Sequence, residues 1–263
     1  MAARTLYVPR KSPLHDLNPL TKLTLSLTVV VLAFFGPGYW TSAGLYVLVL
    51  LPTTVAARVT QEYLRTSVRL FLPLFGFIFV MQSIFHPGGT QVLLRLGVLS
   101  VRAESVQFAF LTATRLLVMA SSFLLLLMTT HPSLLMDDLA RRGLPGMVAY
   151  IVTSTFQIVP LIGERANAII AAQRSRGLET QGSFAKRVGA LVPLVGPLVF
   201  GSVVEVEERA IAIEARGFSA KTAKTSLVEV TERPWEVRLR WGLVILLAVV
   251  LSFPLWRSLI LKA

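Results

Sequence analysis

Apolar and polar positions divide this chain into two unlike parts. In the first, long apolar runs alternate with short polar links. Runs of about 20 apolar residues are needed to cross roughly 30 Å of hydrocarbon. Four candidates occur here: Leu20–Phe35, Ser42–Ala57, Leu70–Phe85 and Val106–Thr130. A fifth, Trp241–Leu261, lies at the C-terminal end. The first three are short at their apolar cores, so they extend at their ends or stand with little tilt. No cleavable signal peptide is expected, since no short apolar region followed by small-residue cleavage sites opens the chain.

The second part, His131 to Arg240, holds fourteen basic and eleven acidic residues, and these interrupt apolar stretches such as Met147–Gly163 and Val188–Val206. Such a mixture predicts long amphipathic helices at the inner membrane interface. Arg165, Asn167, Arg174 and Arg176 alternate with Ala168, Ile169 and Ala172 at helical spacing. The expected organisation is a membrane domain over 1–130, a cytoplasmic helical section over 131–240 and a transmembrane helix over 241–263.

Composition supports the membrane reading. Hydrophobic residues make up 54% and charged residues 15%, with a mean hydropathy of +0.68. A soluble domain carries about 25% charged residues, so the expected class is an all-α integral membrane protein. The chain has no cysteine, which excludes a disulfide framework. Its net charge of +12 could signal nucleic acid. In so apolar a chain it signals a basic cytoplasmic side instead. Arg4, Arg10, Lys11 and Lys22 precede or open the first run, and Arg58, Arg65 and Arg69 lie between the second and third. The first link, Gly36 to Trp40, is uncharged, although Arg95 and Arg102 sit in the third. The N-terminus is therefore expected in the cytoplasm, with the chain returning there near His131.

An internal repeat marks the charged section. Val159-Pro160-Leu161-Ile162-Gly163 recurs as Val192-Pro193-Leu194-Val195-Gly196, and Arg165-Ala166-Asn167-Ala168-Ile169 as Arg209-Ala210-Ile211-Ala212-Ile213. Each copy closes on a matching tail, Ser175-Arg176-Gly177 and Ala215-Arg216-Gly217. Each helix is expected to start after its proline and stop at its glycine. One Arg-Gly end is ordinary capping, because arginine complements the helix dipole and glycine turns the chain. Two copies in the same order suggest paired docking tips. Arginine offers a planar fork for a carboxylate, and the small Ser175 and Ala215 permit close approach.

With these residues the sequence resembles the transmembrane (T) component of energy-coupling factor transporters, similar to the Q-type subunit of cobalt importers. The likeness includes Ser12-Pro13-Leu14-His15-Asp16-Leu17-Asn18-Pro19-Leu20-Thr21-Lys22-Leu23, Thr129-Thr130-His131-Pro132, Leu139 and Gly143-Leu144-Pro145. It is most specific in the paired motifs Gln173 to Leu178 and Glu214 to Phe218, where Ser175 replaces a common alanine. The resemblance implies a non-catalytic scaffold in a prokaryotic cell membrane, whose coupling helices bind two ATP-binding-cassette ATPases. A separate substrate-binding S component would hold a vitamin or a cobalt or nickel ion. Arg176 and Arg216 would each pair with an acidic group on an ATPase. Leu178, Phe218, Ile169 and Ile211 would add apolar contact.

The other conspicuous residues have plainer readings. His15, His86 and His131 are scattered, and with no cysteine no metal site or cofactor is expected. Asp137-Asp138 and Arg141-Arg142 are expected to match the two ends of a short helix opened by Pro132-Ser133. Glu164, Glu205, Glu207 and Glu208 are expected to balance nearby arginines. Arg115 lies inside the fourth run, where a cation is costly and needs a partner or a route to the interface. An intramembrane enzyme would need a catalytic motif, and no nucleophile elbow, zinc-protease motif or phosphate-binding glycine loop is present. A stand-alone secondary transporter or channel would show broken midplane helices and a full-length inverted repeat. Here the repeat is confined to the charged section.

Overall fold

Asn18-Pro19 starts the first helix. Asn18 Oδ1 accepts the Leu20 amide at 2.9 Å, and Pro19, with no amide to satisfy, occupies the first turn of α1 (Pro19–Phe35). Extended Gly36 ends it, at a position where a Cβ would collide with the Leu32 carbonyl oxygen and Thr41 Cγ2. The computed structural model describes residues 7–36, 40–86, 91–96, 99–177, 184–220 and 232–260.

The second run forms α2 (Thr41–Leu45), a π-helical turn (Tyr46–Leu50) and α3 (Leu51–Ala57). Pro52 has no amide to offer the Leu48 carbonyl, and the Leu51 amide reaches back five residues to Tyr46 instead. Arg58, at φ +59°, turns the chain sharply into α4 (Thr60–Phe85). That helix starts well before the expected Leu70. Arg65 and Arg69 therefore lie within it, and only Arg58 and Val59 remain as the link. The flanking polar turns disguised the start, since helical sides exposed to water read as loop.

Between α4 and α5 lies an element the all-α expectation omitted. Strands β1 (Val92–Leu96) and β2 (Leu99–Arg102) pair antiparallel, with Arg95 opposite Ser100. Then follow α5 (Ala103–Thr129), α6 (Pro132–Arg141), α7 (Gly146–Ser175), α8 (Phe184–Ala215) and α9 (Pro234–Ile260). Among the described residues the protein is an all-α membrane protein apart from this strand pair. By length and composition α4, α5 and α7 can each cross a membrane, while α1 and the α2–α3 rod are shorter apolar helices. At 17 residues, α1 spans about 26 Å.

The chain forms two compact units. One is Pro145–Glu229; the other is Thr5–Leu144 with Val230–Ala263. In the second, α1 packs against α5 and α9, and α4 against α5. Val29, Ala33, Val59, Tyr63, Val118 and Met128 are buried there. Lipid tails are as apolar as these side chains, so close packing rather than transfer from water holds such helices together. Small polar residues allow it: Ser26 and Ser122 hydroxyls meet at 2.9 Å across α1 and α5. The outward side of α4 presents Val68, Leu72, Phe77 and Val80, which suits lipid better than water.

Several polar side chains of this unit act at helix ends. Arg115 donates from Nε to the Ala33 carbonyl at 3.1 Å, and Ser42 Oγ donates to the same oxygen at 3.0 Å. The intramembrane arginine thus caps the last turn of α1, where carbonyls lack helical partners and the dipole favours a cation. Buried Lys22 does the same for α5, donating to the Thr129 carbonyl at 3.0 Å and the His15 carbonyl at 2.9 Å. On α9, fully buried Glu236 accepts the Asn18 amide at 2.7 Å and so caps the start of α1.

His15 lies 3.0 Å through Nε2 from the Val8 carbonyl and 2.7 Å through Nδ1 from Ser12 Oγ. A carbonyl only accepts, so Nε2 carries the proton and the neutral ring takes the Ser12 hydroxyl at Nδ1. Burial pushes the imidazole below its ordinary 6.5. The unfolded chain then binds this proton more readily than the folded one. The contribution is complete above pH 6.5 and is lost as pH falls below that value towards the folded pKa. Thermal unfolding in detergent should show a lower Tm at about pH 5 than at about pH 7.5, and His15→Gln should shrink that difference.

Candidate partner-docking site

The two Arg-Gly tails end the two long helices of the Pro145–Glu229 unit. Gly177 lies at φ +89° and Gly217 at φ +73°, the left-handed region in which glycine turns a chain away from a helix. At α7, the Gly177 amide donates to the Arg174 carbonyl at 3.0 Å. At α8, the Gly217 amide donates to the Glu214 carbonyl at 2.8 Å and the Phe218 amide to Ile213 at 3.0 Å. The second set is a Schellman ending, and both helices stop at the expected glycine. Ser175, Arg176, Ala215 and Arg216 are all exposed beside these turns. Neither arginine is drawn into an ion pair among the described residues.

The helix starts depart from expectation. Pro160 lies inside α7 and Pro193 within the span of α8. A proline in a long apolar helix is tolerated where neighbouring groups re-satisfy the freed carbonyl, so the repeated Val-Pro marks mid-helix and not a first turn. Asp137-Asp138 also depart: they fall in the second half of α6, whose first turn holds no acid. Asp138 faces Arg142 instead.

What relates the two tips is an ion pair that motif reading missed. Arg165 on α7 hydrogen-bonds Glu205 on α8, and Arg209 joins the same carboxylate at 3.1 Å. Glu205 thus balances arginines as expected. The same eleven-residue interval separates Arg165 from Arg176 and Glu205 from Arg216. At the other marker of alignment, Tyr150 near the start of α7 meets Phe218 just beyond the end of α8, with ring centroids 5.2 Å apart. The helices therefore run antiparallel, which puts the two arginines at opposite ends of the pair, each about 16 Å along its helix from the brace.

The supporting residues divide. Phe218 is half-buried, but against Tyr150 of its own unit; Ile169 is half-buried and Ile211 is 70% exposed. Leu178 lies outside the described residues. An exposed planar cation on a rigid, glycine-stopped end can enter a partner's groove and meet a carboxylate there. The signal for the brace was present only as an equal spacing between unlike residues, which a search for repeated motifs passes over.

Comparison with known proteins gives concordant results. A family described as CbiQ, cobalt transport protein, matches residues 10–227. The energy-coupling factor transporter transmembrane protein EcfT of Thermanaerovibrio acidaminovorans is 33% identical over 250 residues, covering 90% of this chain and 87% of its own. The EcfT protein of Heliobacterium modesticaldum is 31% identical over 84% of this chain and 85% of its own. That of Brevibacillus brevis is 30% identical over 96% and 97%.

Proposed function

Because the chain belongs to the CbiQ cobalt transport protein family and is the transmembrane component of an energy-coupling factor transporter, we propose that its braced α7–α8 pair couples two ATP-binding-cassette ATPases to a substrate-binding S component. The observation that carries this reading is the pair of exposed, glycine-stopped arginines, set at equal distances from one brace at opposite ends of the helix pair. Two similar tips so placed suit two similar partners. Arg176 and Arg216 each enter a groove on one ATPase and meet an acidic group there. Ser175 and Ala215 let the backbones approach, and Gly177 and Gly217 turn the chain clear.

In this reading residues 131–240 form the coupling section, with α7 and α8 lying along the cytoplasmic face of the membrane. Residues 1–130 and 241–263 anchor the protein in the prokaryotic cell membrane, with the N-terminus cytoplasmic. The chain is itself non-catalytic. ATP-driven movement of the ATPases passes through the helices to the S component, which carries a vitamin or a transition-metal ion inward.

Purification from native membranes tests this. The chain is expected to bring down two ATPase subunits and one small hydrophobic protein. Solute transport by the chain reconstituted alone would show a stand-alone carrier instead.

A further inference from the structure

The helix pair is an insertion in the membrane unit: the chain leaves that unit at Leu144 and re-enters it at Val230. The exit is stiff. Gly143, at φ +109°, ends α6, with the Leu144 amide bonded to the Leu139 carbonyl at 3.1 Å and the Gly143 amide to Ala140 at 3.2 Å. Pro145 follows at once, and α7 begins at Gly146. Beside this exit, Arg142 Nη2 donates to Glu232 Oε1 at 2.8 Å, across 90 residues of sequence. Arg240 Nη2, from the second turn of α9, donates to the same oxygen at 2.5 Å. Arg142 also faces buried Asp138 on α6, Nε to Oδ1 at 3.7 Å. Arg142 holds the Glu232 carboxyl below the usual carboxylate range.

One carboxylate therefore joins the end of α6, the residues before α9 and α9 itself, beside the exit and immediately after residues 221–231. We propose that Glu232 is a transmission residue: it clasps exit and re-entry together, so that displacement of α7 and α8 reaches α6 and α9 as one motion instead of being absorbed in the connections. The proposal rests on the coupling role assigned above and adds a route to it. An isolated, partly exposed ion pair contributes little to stability. A carboxylate shared by two guanidiniums on different elements fixes geometry instead, and its loss should be read in motion more than in folding.

The test uses the complex of the chain with its co-purifying ATPases, comparing amide hydrogen exchange with and without ATP. In the native complex ATP should alter exchange in α6 and α9 as well as in α7 and α8. Glu232→Gln should keep the ATPases and the α7–α8 response while the α6 and α9 response falls at least roughly threefold. The chain contains no cysteine, so Arg142→Cys with Glu232→Cys can be bridged selectively within it by a short bis-maleimide. The bridged form should regain the response that the unbridged form lacks. An unchanged response in Glu232→Gln, loss of its ATPases, or no recovery on bridging would overturn the proposal. A native chain that binds no ATPase would instead sink the docking assignment itself.

Discussion

Replacing both Arg176 and Arg216 by alanine should release the ATPases while leaving the protein inserted and folded. Both side chains are exposed and serve no internal pair among the described residues. The helix ends rely on glycine and backbone bonds that the substitutions do not touch. If each arginine is buried against a carboxylate on assembly, removing it leaves an uncompensated charge in the partner groove, at a cost of about 3–5 kcal/mol. That corresponds to roughly a hundredfold to a few thousandfold in affinity per site. Each single variant should weaken ATPase capture and solute uptake, and the double variant should abolish both. Normal capture and import by the double variant would refute the assignment.

The second large effect concerns folding. Glu236 is fully buried, and its Oε2 accepts the Asn18 amide at 2.7 Å, where α9 meets the start of α1. Glu236→Ala removes a charged acceptor from a helix N-terminus and leaves that amide buried without a partner. A hydrogen bond to a charged group contributes about 1.5–3 kcal/mol, and an orphaned donor adds to the loss. The variant should unfold at a clearly lower temperature in detergent, with α9 the first region to gain exchange. Glu236→Gln keeps an acceptor oxygen without the charge and should fall between the two. A Glu236→Ala protein as stable as the parent would show that α9 is held by packing alone.

Much of the fold was legible in the apolar runs, because a lipid-facing helix must be apolar along its whole embedded length. Legibility failed where a helix leaves lipid. The first turns of α4 carry Glu62, Arg65 and Arg69 and read as a loop, although the helix is continuous from Thr60. The strand pair was hidden by brevity: Val92–Leu96 and Leu99–Arg102 are too short to stand out beside long helices. At the candidate site, the tips were visible because glycine must occupy a left-handed turn, and that requirement is written in one letter. The brace was not. Sequence likeness aligns Arg165 with Arg209, whereas the fold sets Arg165 against Glu205, a complementary residue that no similarity search would equate with it.

Two antiparallel rods braced at Arg165–Glu205, with equal lengths from that bond to their tips, possess an approximate dyad through it. Eleven residues make close to three full helical turns, about 10.8 residues, so each tip returns to nearly the azimuth of its own end of the Arg165–Glu205 bond. Reach and angular phase are both set by that interval. One residue inserted into either rod would lengthen it by only about 1.5 Å but rotate its terminus by about 100°, so phase is the tighter constraint. A single asymmetric chain can in this way present two equivalent tips related by a local twofold.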